Sequence, residues 1–150
     1  MASIAPGATV TACCVWLTGP PGAGKHTIAQ GVRDALSARG VDAALLDEDA
    51  VSSHLAEGVE SLAWVCRLLV THGVPVIVSV ELPARGERDE LRESVPGFVE
   101  VFIDRGAHDD EYEEPFAPEL RVPTHDREPA ASIAQLLSWL EDAGVVSPEI

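Results

Sequence analysis

Lysine is nearly missing from this chain: Lys25 is the only one, and the other nine basic residues are arginine. Positive charge is scarce altogether, with 10 basic residues against 25 acidic ones and a formal net charge of -15. A field of that sign repels nucleic acid and anionic membrane surfaces, so neither is expected as a partner. It does not exclude a nucleotide, whose phosphates local amides, a lysine and a bound cation can hold. Cysteines number three, two of them adjacent at Cys13-Cys14, with no disulfide framework and no metal-ligand spacing. They are expected to pack reduced in the core of a cytoplasmic protein. No run approaches the roughly 20 apolar residues of a membrane span. Met1 to Val10 lacks the basic start and apolar run of a signal peptide. No internal repeat is present, and 150 residues suffice for one domain over 1–150 with a single core, 1–10 being a tail or strand lead-in.

The lone lysine closes the stretch Gly19-Pro20-Pro21-Gly22-Ala23-Gly24-Lys25. Where arginine is otherwise preferred, a surviving lysine marks a place that needs a compact ammonium on a flexible stem rather than a planar fork. The stretch matches G-x-x-x-x-G-K, a phosphate-binding loop whose next position should be Ser or Thr. Here that position is His26, and the hydroxyl arrives one residue late, at Thr27. The context agrees with the mechanism. Thr11 to Leu17 is a continuous apolar segment of the kind buried on both faces of a parallel sheet. After the loop, Ile28, Val32, Ala35 and Leu36 share one face of a helix that should stop at Gly40. Backbone amides at the start of that helix, with its dipole behind them, suit phosphate. The competing reading is a Gly/Pro-rich turn that binds nothing.

Strand and helix patterns alternate along the remainder, which predicts an α/β fold: a mostly parallel sheet of about five strands between helical layers. Strands are expected at 43–46, 74–80, 98–103 and 120–122, and helices at 50–56, 60–71 and 87–93. A last helix opens at Pro129 and ends at Gly144. Residues 104–119 read as loop, with Asp109, Asp110, Glu111, Glu113 and Glu114 crowded together.

Val15-Trp16-Leu17-Thr18 and the loop that follows closely resemble the phosphate loop of adenylylsulfate kinases. Leu46-Asp47-Glu48-Asp49 is similar to that family's Leu-Asp-Gly-Asp, and Pro83-Ala84-Arg85-Gly86-Glu87-Arg88 to its Pro-Tyr-Arg-x-x-Arg. Glu100 to Asp104 and Tyr112 to Leu120 also look like family segments, so the likeness runs from about residue 13 to 140. It implies a P-loop kinase core, often dimeric, that moves the γ-phosphate of ATP to a hydroxyl of a small anionic substrate. Several functional parts differ. His26 stands in place of the Mg²⁺-binding hydroxyl, and imidazole is a poor ligand for that hard cation. Glu48 replaces a glycine, and Ser52 an arginine. The arginine-rich segment before the next helix is shortened to Glu57-Gly58-Val59-Glu60-Ser61, and the lid that belongs between Ala107 and His108 is lacking. A lid excludes water and completes the charge clamp, so a slow or inactive nucleotide-binding module serving as scaffold or regulator is the alternative.

From these considerations Gly22, Ala23, Gly24, Lys25, His26 and Thr27 are the expected nucleotide-binding residues. Lys25 would neutralise the β- and γ-phosphates. Asp47, at a strand end where doubly wound sheets take ligands, would align the acceptor or hold Mg²⁺ with Thr27; its plain reading is a turn residue. Asp49 would face substrate or cap the following helix. Arg85, as a catalytic cation, and Arg88 would clamp an anionic substrate, or pair with Glu81, Glu87 and Asp89 on the surface. His26 would be a phosphate donor when protonated, or merely tolerated. The acidic run 109–114 is a solvated loop or a cation site.

Overall fold

The computed structural model describes residues 12–55 and 58–146. The expected lead-in at 1–10, and Ala56 at the end of one expected helix, lie outside them. Strand β1 (Cys14–Thr18) leads into helix α1 (Lys25–Ala38), followed by β2 (Ala44–Asp47), α2 (Glu48–His54) and α3 (Val59–Thr71). Then come β3 (Val76–Ser79), α4 (Arg85–Ser94), β4 (Phe98–Asp104), β5 (Leu120–Pro123) and α5 (Pro129–Asp142). The strands form one sheet in the order β2-β3-β1-β4-β5, and every pairing is parallel.

Alternation along β1 explains why the strand reads as continuously apolar. Cys13, Val15 and Leu17 enter a core that includes Ile28, Val32 and Leu36 of α1 and Leu136 and Leu140 of α5. Cys14 and Trp16 enter the opposite core, with Leu62, Cys66 and Val70 of α3 and Leu91 of α4. Successive side chains of a strand point to opposite faces, so a central strand between two helical layers has no polar position to offer. Three layers result: α1 and α5, the sheet, and α3 with α4. Each fully buried Leu, Ile or Val here contributes about 1.5–3 kcal/mol relative to exposure.

The three thiols are buried in the core, where they were expected to pack. Burial pushes the Cys13 thiol up to about 11. Cys14 is raised as well, by the hydrogen bond it shares with Cys66 and by burial. At pH 8 a two-unit rise from the ordinary 9.0 leaves about a hundredfold less thiolate at Cys13. Ellman's reagent is therefore expected to label Cys13 and Cys14 of the native chain at least a hundredfold more slowly than the unfolded chain. Rapid native labelling of either would contradict the packing.

Element boundaries follow the expected pattern with small shifts. The helix expected at 50–56 begins earlier, at Glu48, because Asp47 rather than Asp49 is its cap: the Asp47 carboxylate accepts from the Ala50 N–H at 2.8 Å. The α4 helix starts at Arg85, two residues early. Its opening is held from outside, by Glu113 Oε1 accepting the Arg85 N–H at 2.9 Å.

Candidate functional site

The C-terminal ends of β1, β2 and β3 lie on one edge of the parallel sheet, whose order places β3 on one side of β1 and β4 on the other. The glycine-rich loop lies on that edge. Gly22 and Gly24 take φ of 79° and 98°, a left-handed region that residues with a Cβ seldom occupy. Those two turns curl residues 20–24 over the start of α1. Gly24 is the residue immediately before the helix, so the α1 amides open into the curl. Lys25 is the first residue of that helix and only 7% exposed. Its Nζ folds back to donate to the carbonyl oxygens of Gly19 at 2.7 Å and Pro20 at 3.2 Å, and pairs with Glu81 Oε1 at 3.2 Å.

A cleft of about 400 Å³ opens on one flank of the loop. It is lined by Gly22 to Thr27, by Asp47, Glu48 and Asp49 at the end of β2, and by Ser79 and Glu81 at the end of β3. Thus all six expected nucleotide-binding residues, with Asp47 and Asp49, border one space. Asp47 uses one carboxylate oxygen as the α2 cap, which fixes its side chain. Glu48, where the family has glycine, accepts the backbone N–H of Glu81 and so braces β2 against the segment after β3. On the other flank a second cavity, of about 370 Å³, is bounded by Gly22, Thr27, Arg105, Thr124, His125 and Arg127, among others. Thr27 borders both spaces, His26 only the first. A roomier hollow, of about 800 Å³, lies beside α3 near Leu55, Val59, Trp64 and Arg67, away from the loop. It offers no glycine-rich backbone and no counterpart of Lys25, so chemistry rather than volume singles out the loop.

Two expected residues are placed elsewhere. Arg88 is not a substrate clamp: it is 1% exposed. Its Nε donates to Glu100 Oε2 at 3.0 Å, its Nη1 to the Leu82 carbonyl at 2.8 Å, and its Nη2 to the Glu113 carbonyl. Every arm of the fork is occupied inside the protein. Arg85 turns the same way. Its Nε donates to the Glu114 carbonyl at 2.8 Å, and its guanidinium lies 3.7 Å from the centre of the Phe116 ring. Neither arginine borders the cleft, and the reason is shared: the 113–116 segment packs over the start of α4 and takes both cations.

That segment belongs to the 105–119 loop, which is acidic and lacks helix or strand as expected, yet is firmly attached. Tyr112, the one tyrosine of the chain, is buried, and its hydroxyl meets Thr18 Oγ1 at 2.7 Å. Burial pushes the phenol up, so it remains protonated at this contact. Thr18 immediately precedes the glycine loop, and the loop of acids is thereby tied to it. Sequence reasoning missed this anchor; an isolated aromatic inside a charged stretch was its signal. Arg105 was missed too. It follows the last residue of β4, donates from Nη1 to the Pro21 carbonyl at 2.9 Å, and lies 3.5 Å from where a side chain on Gly22 would begin. Its Nε is buried without a partner among the described residues. The strand-end rule that selected Asp47 applies equally to Arg105.

A parallel sheet of this order, with a glycine loop closing on a lysine at the first turn of the helix after the central strand, defines a P-loop kinase. The model of the adenylylsulphate kinase family matches residues 11–109, which take in the loop, the Asp47 region and Arg85. The chain belongs to the adenylylsulphate kinase family, and so to a family of phosphotransferases. An adenylyl-sulfate kinase of Synechococcus sp. (strain JA-3-3Ab) is 40% identical over 101 residues, a stretch covering 60% of this chain and 57% of that one. One from Microcystis aeruginosa is 32% identical over 168 aligned positions, covering 88% of this chain and 93% of the relative. Those 168 positions exceed the 150 residues of the chain, so the relative carries segments that have no counterpart here. The solved structure of a mutant of the Mycobacterium tuberculosis APS kinase CysC superposes with a TM-score of 0.74 at 28% identity, over 89% of this chain and 99% of that one.

Proposed function

We propose that this chain is an ATP-dependent phosphotransferase that passes the γ-phosphoryl group to a hydroxyl of a small acceptor. The observation that carries the reading is the pairing of the positive-φ glycine curl with Lys25 Nζ directly beneath it. Nucleotide phosphates accept from the loop amides, and Lys25 exchanges the Gly19 and Pro20 carbonyls and Glu81 for the β- and γ-phosphates. The nucleoside extends into the cavity beside Arg105 and Thr124. Arg105, whose Nη1 lies against Gly22 and whose Nε has no partner among the described residues, supplies there the planar cation that the absent lid would have brought. The acceptor occupies the cleft beside Asp47. Its hydroxyl oxygen attacks the γ-phosphorus as the bond to the β,γ-bridging oxygen breaks; the electron pair leaves with ADP, and the hydroxyl proton passes to the Asp47 carboxylate oxygen not used as a cap.

Mg²⁺ would suit Thr27, which lines the cleft wall, and Asp47 only where its uncapped oxygen does not take the acceptor proton, but not the His26 imidazole between loop and hydroxyl. When bound, the ion neutralises charge on the phosphates. Because His26 disturbs that half of the site, a second reading stands beside the first: a nucleotide-binding module with weak turnover. A calorimetric titration of ATP, once with Mg²⁺ and once with EDTA, separates the two. The first reading expects tight binding only with the metal. His26→Ser is then expected to raise turnover about tenfold by restoring the hydroxyl ligand. Binding indifferent to Mg²⁺, with turnover unmoved by His26→Ser, favours the second reading, and no binding in either buffer sinks both.

A further inference from the structure

The cleft that receives the acceptor is lined by four carboxylates, Asp47, Glu48, Asp49 and Glu81, and by none of the nine arginines. Among the described residues, Lys25 is the one lysine or arginine in its wall, and the phosphates require it; His26 borders it too. Ser52, where an arginine would have supplied charge from α2, is exposed and bonds only the Asp49 carbonyl, at 3.5 Å. A second observation is independent of the acids. Ser79 at the end of β3 is 5% exposed and borders the same cleft, yet its hydroxyl makes no hydrogen bond among the described residues. A hydroxyl that opens on the cleft without a protein partner is free to meet a ligand there. Nor do the acids form a cage for one ion: among the described residues no three potential ligands converge.

We infer that the acceptor is a cationic alcohol, a small molecule bearing both a hydroxyl and a protonated amine. This deepens the phosphotransferase reading and rests on it. The geometry divides the work. Asp47, locked by its cap, faces the reacting hydroxyl. Glu48 and Glu81, braced to each other, and Asp49 present negative charge to the ammonium group, with the Ser79 hydroxyl as a further polar contact. An anionic acceptor would enter a space already holding four carboxylates and the incoming triphosphate, with Lys25 and any bound Mg²⁺ engaged by the phosphates. At about 400 Å³ the cleft suits a molecule of amino-alcohol or amino-sugar size. The net charge of -15 adds long-range attraction for cations.

The test uses the full chain with ATP and Mg²⁺ and acceptors in matched sets: ethanolamine and glucosamine, glycerol and glucose, glycerate and adenylylsulfate. ADP release is the kinetic readout, and thermal stabilisation by each acceptor in the presence of a non-hydrolysable ATP analogue is the binding readout. The expected result is at least a tenfold preference for the cationic member in kcat/KM or in half-saturation, diminished by salt. Asp49→Asn and, as a second variant, Glu48→Gln should each raise KM for the amine about tenfold while ATP affinity is kept. Equal use of the neutral alcohols, preference for an anionic one, or no saturable effect of either amine on a chain that binds ATP would overturn the inference. Loss of ATP binding itself would instead overturn the phosphotransferase reading beneath it.

Discussion

Lys25→Ala is expected to weaken ATP binding at least a hundredfold and to lower any turnover by about 10²–10³, the range for losing one fixed electrostatic contact to a transition state. The lysine is held under the curl of the loop by the Gly19 and Pro20 carbonyls and by Glu81. Those contacts make the ammonium ready without making it indispensable to the fold. Glu81 is 47% exposed and regains water when its partner is removed. The loss of stability should therefore stay near about 1 kcal/mol. Lys25→Arg is not expected to rescue binding, since a planar fork cannot occupy the space of a point charge on a flexible stem. Titration of ATP into both variants, with a thermal melt to show that they are folded, checks this. Unchanged affinity in a folded Lys25→Ala protein would mean that the nucleotide does not use the loop.

Arg88→Ala is expected to act in the opposite way, on stability first. The guanidinium joins α4 to Glu100 of β4, to the Leu82 carbonyl and to the Glu113 carbonyl of the acidic loop, and lies 5.0 Å from the Tyr112 ring centre. Its removal leaves Glu100, itself buried, with only Arg92 Nη2 at 3.2 Å among its side-chain cations. Breaking a buried pair from one side costs about 3–5 kcal/mol. For a chain of this size that lowers Tm by on the order of 10 °C. The double substitution Arg88→Met with Glu100→Leu should recover much of the loss, because it removes both charges together. A calorimetric melt of the two variants decides the matter. An Arg88→Ala protein that melts like the parent but shows a raised acceptor KM would return Arg88 to the substrate site, against its burial.

The two arginines show how much of the site could be read from residue order. Both belong to a stretch similar to a family signature, and that similarity suggested a clamp. Helical spacing carried the better clue for Arg88. It stands three residues before Leu91 and seven before Val95, both buried, so the inward face of α4 includes it. No such clue existed for Arg85, whose partners, Glu114 and Phe116, are brought to it only by the path of the 105–119 loop. The cap of α2 illustrates a smaller uncertainty. Asp47 and Asp49 are chemically equal candidates, and the choice depended on where the strand ends, which pairing of Asp47 with Ser79 in the neighbouring strand decides.

By itself the order of residues determined the parallel α/β architecture, the glycine loop and the single lysine at its end. Those features are local: strand burial on both faces, the glycines that permit the curl and the helix start all act within one β-loop-α unit. Tertiary structure alone decided the character of the cleft beside the loop. Four carboxylates from two separate strand ends became neighbours there, while the expected cations were drawn off to Glu100, Glu113, Glu114 and Phe116. Charge in a cleft is a sum over segments distant in the chain, and which segments contribute is known only once the sheet has brought its strand ends to one edge.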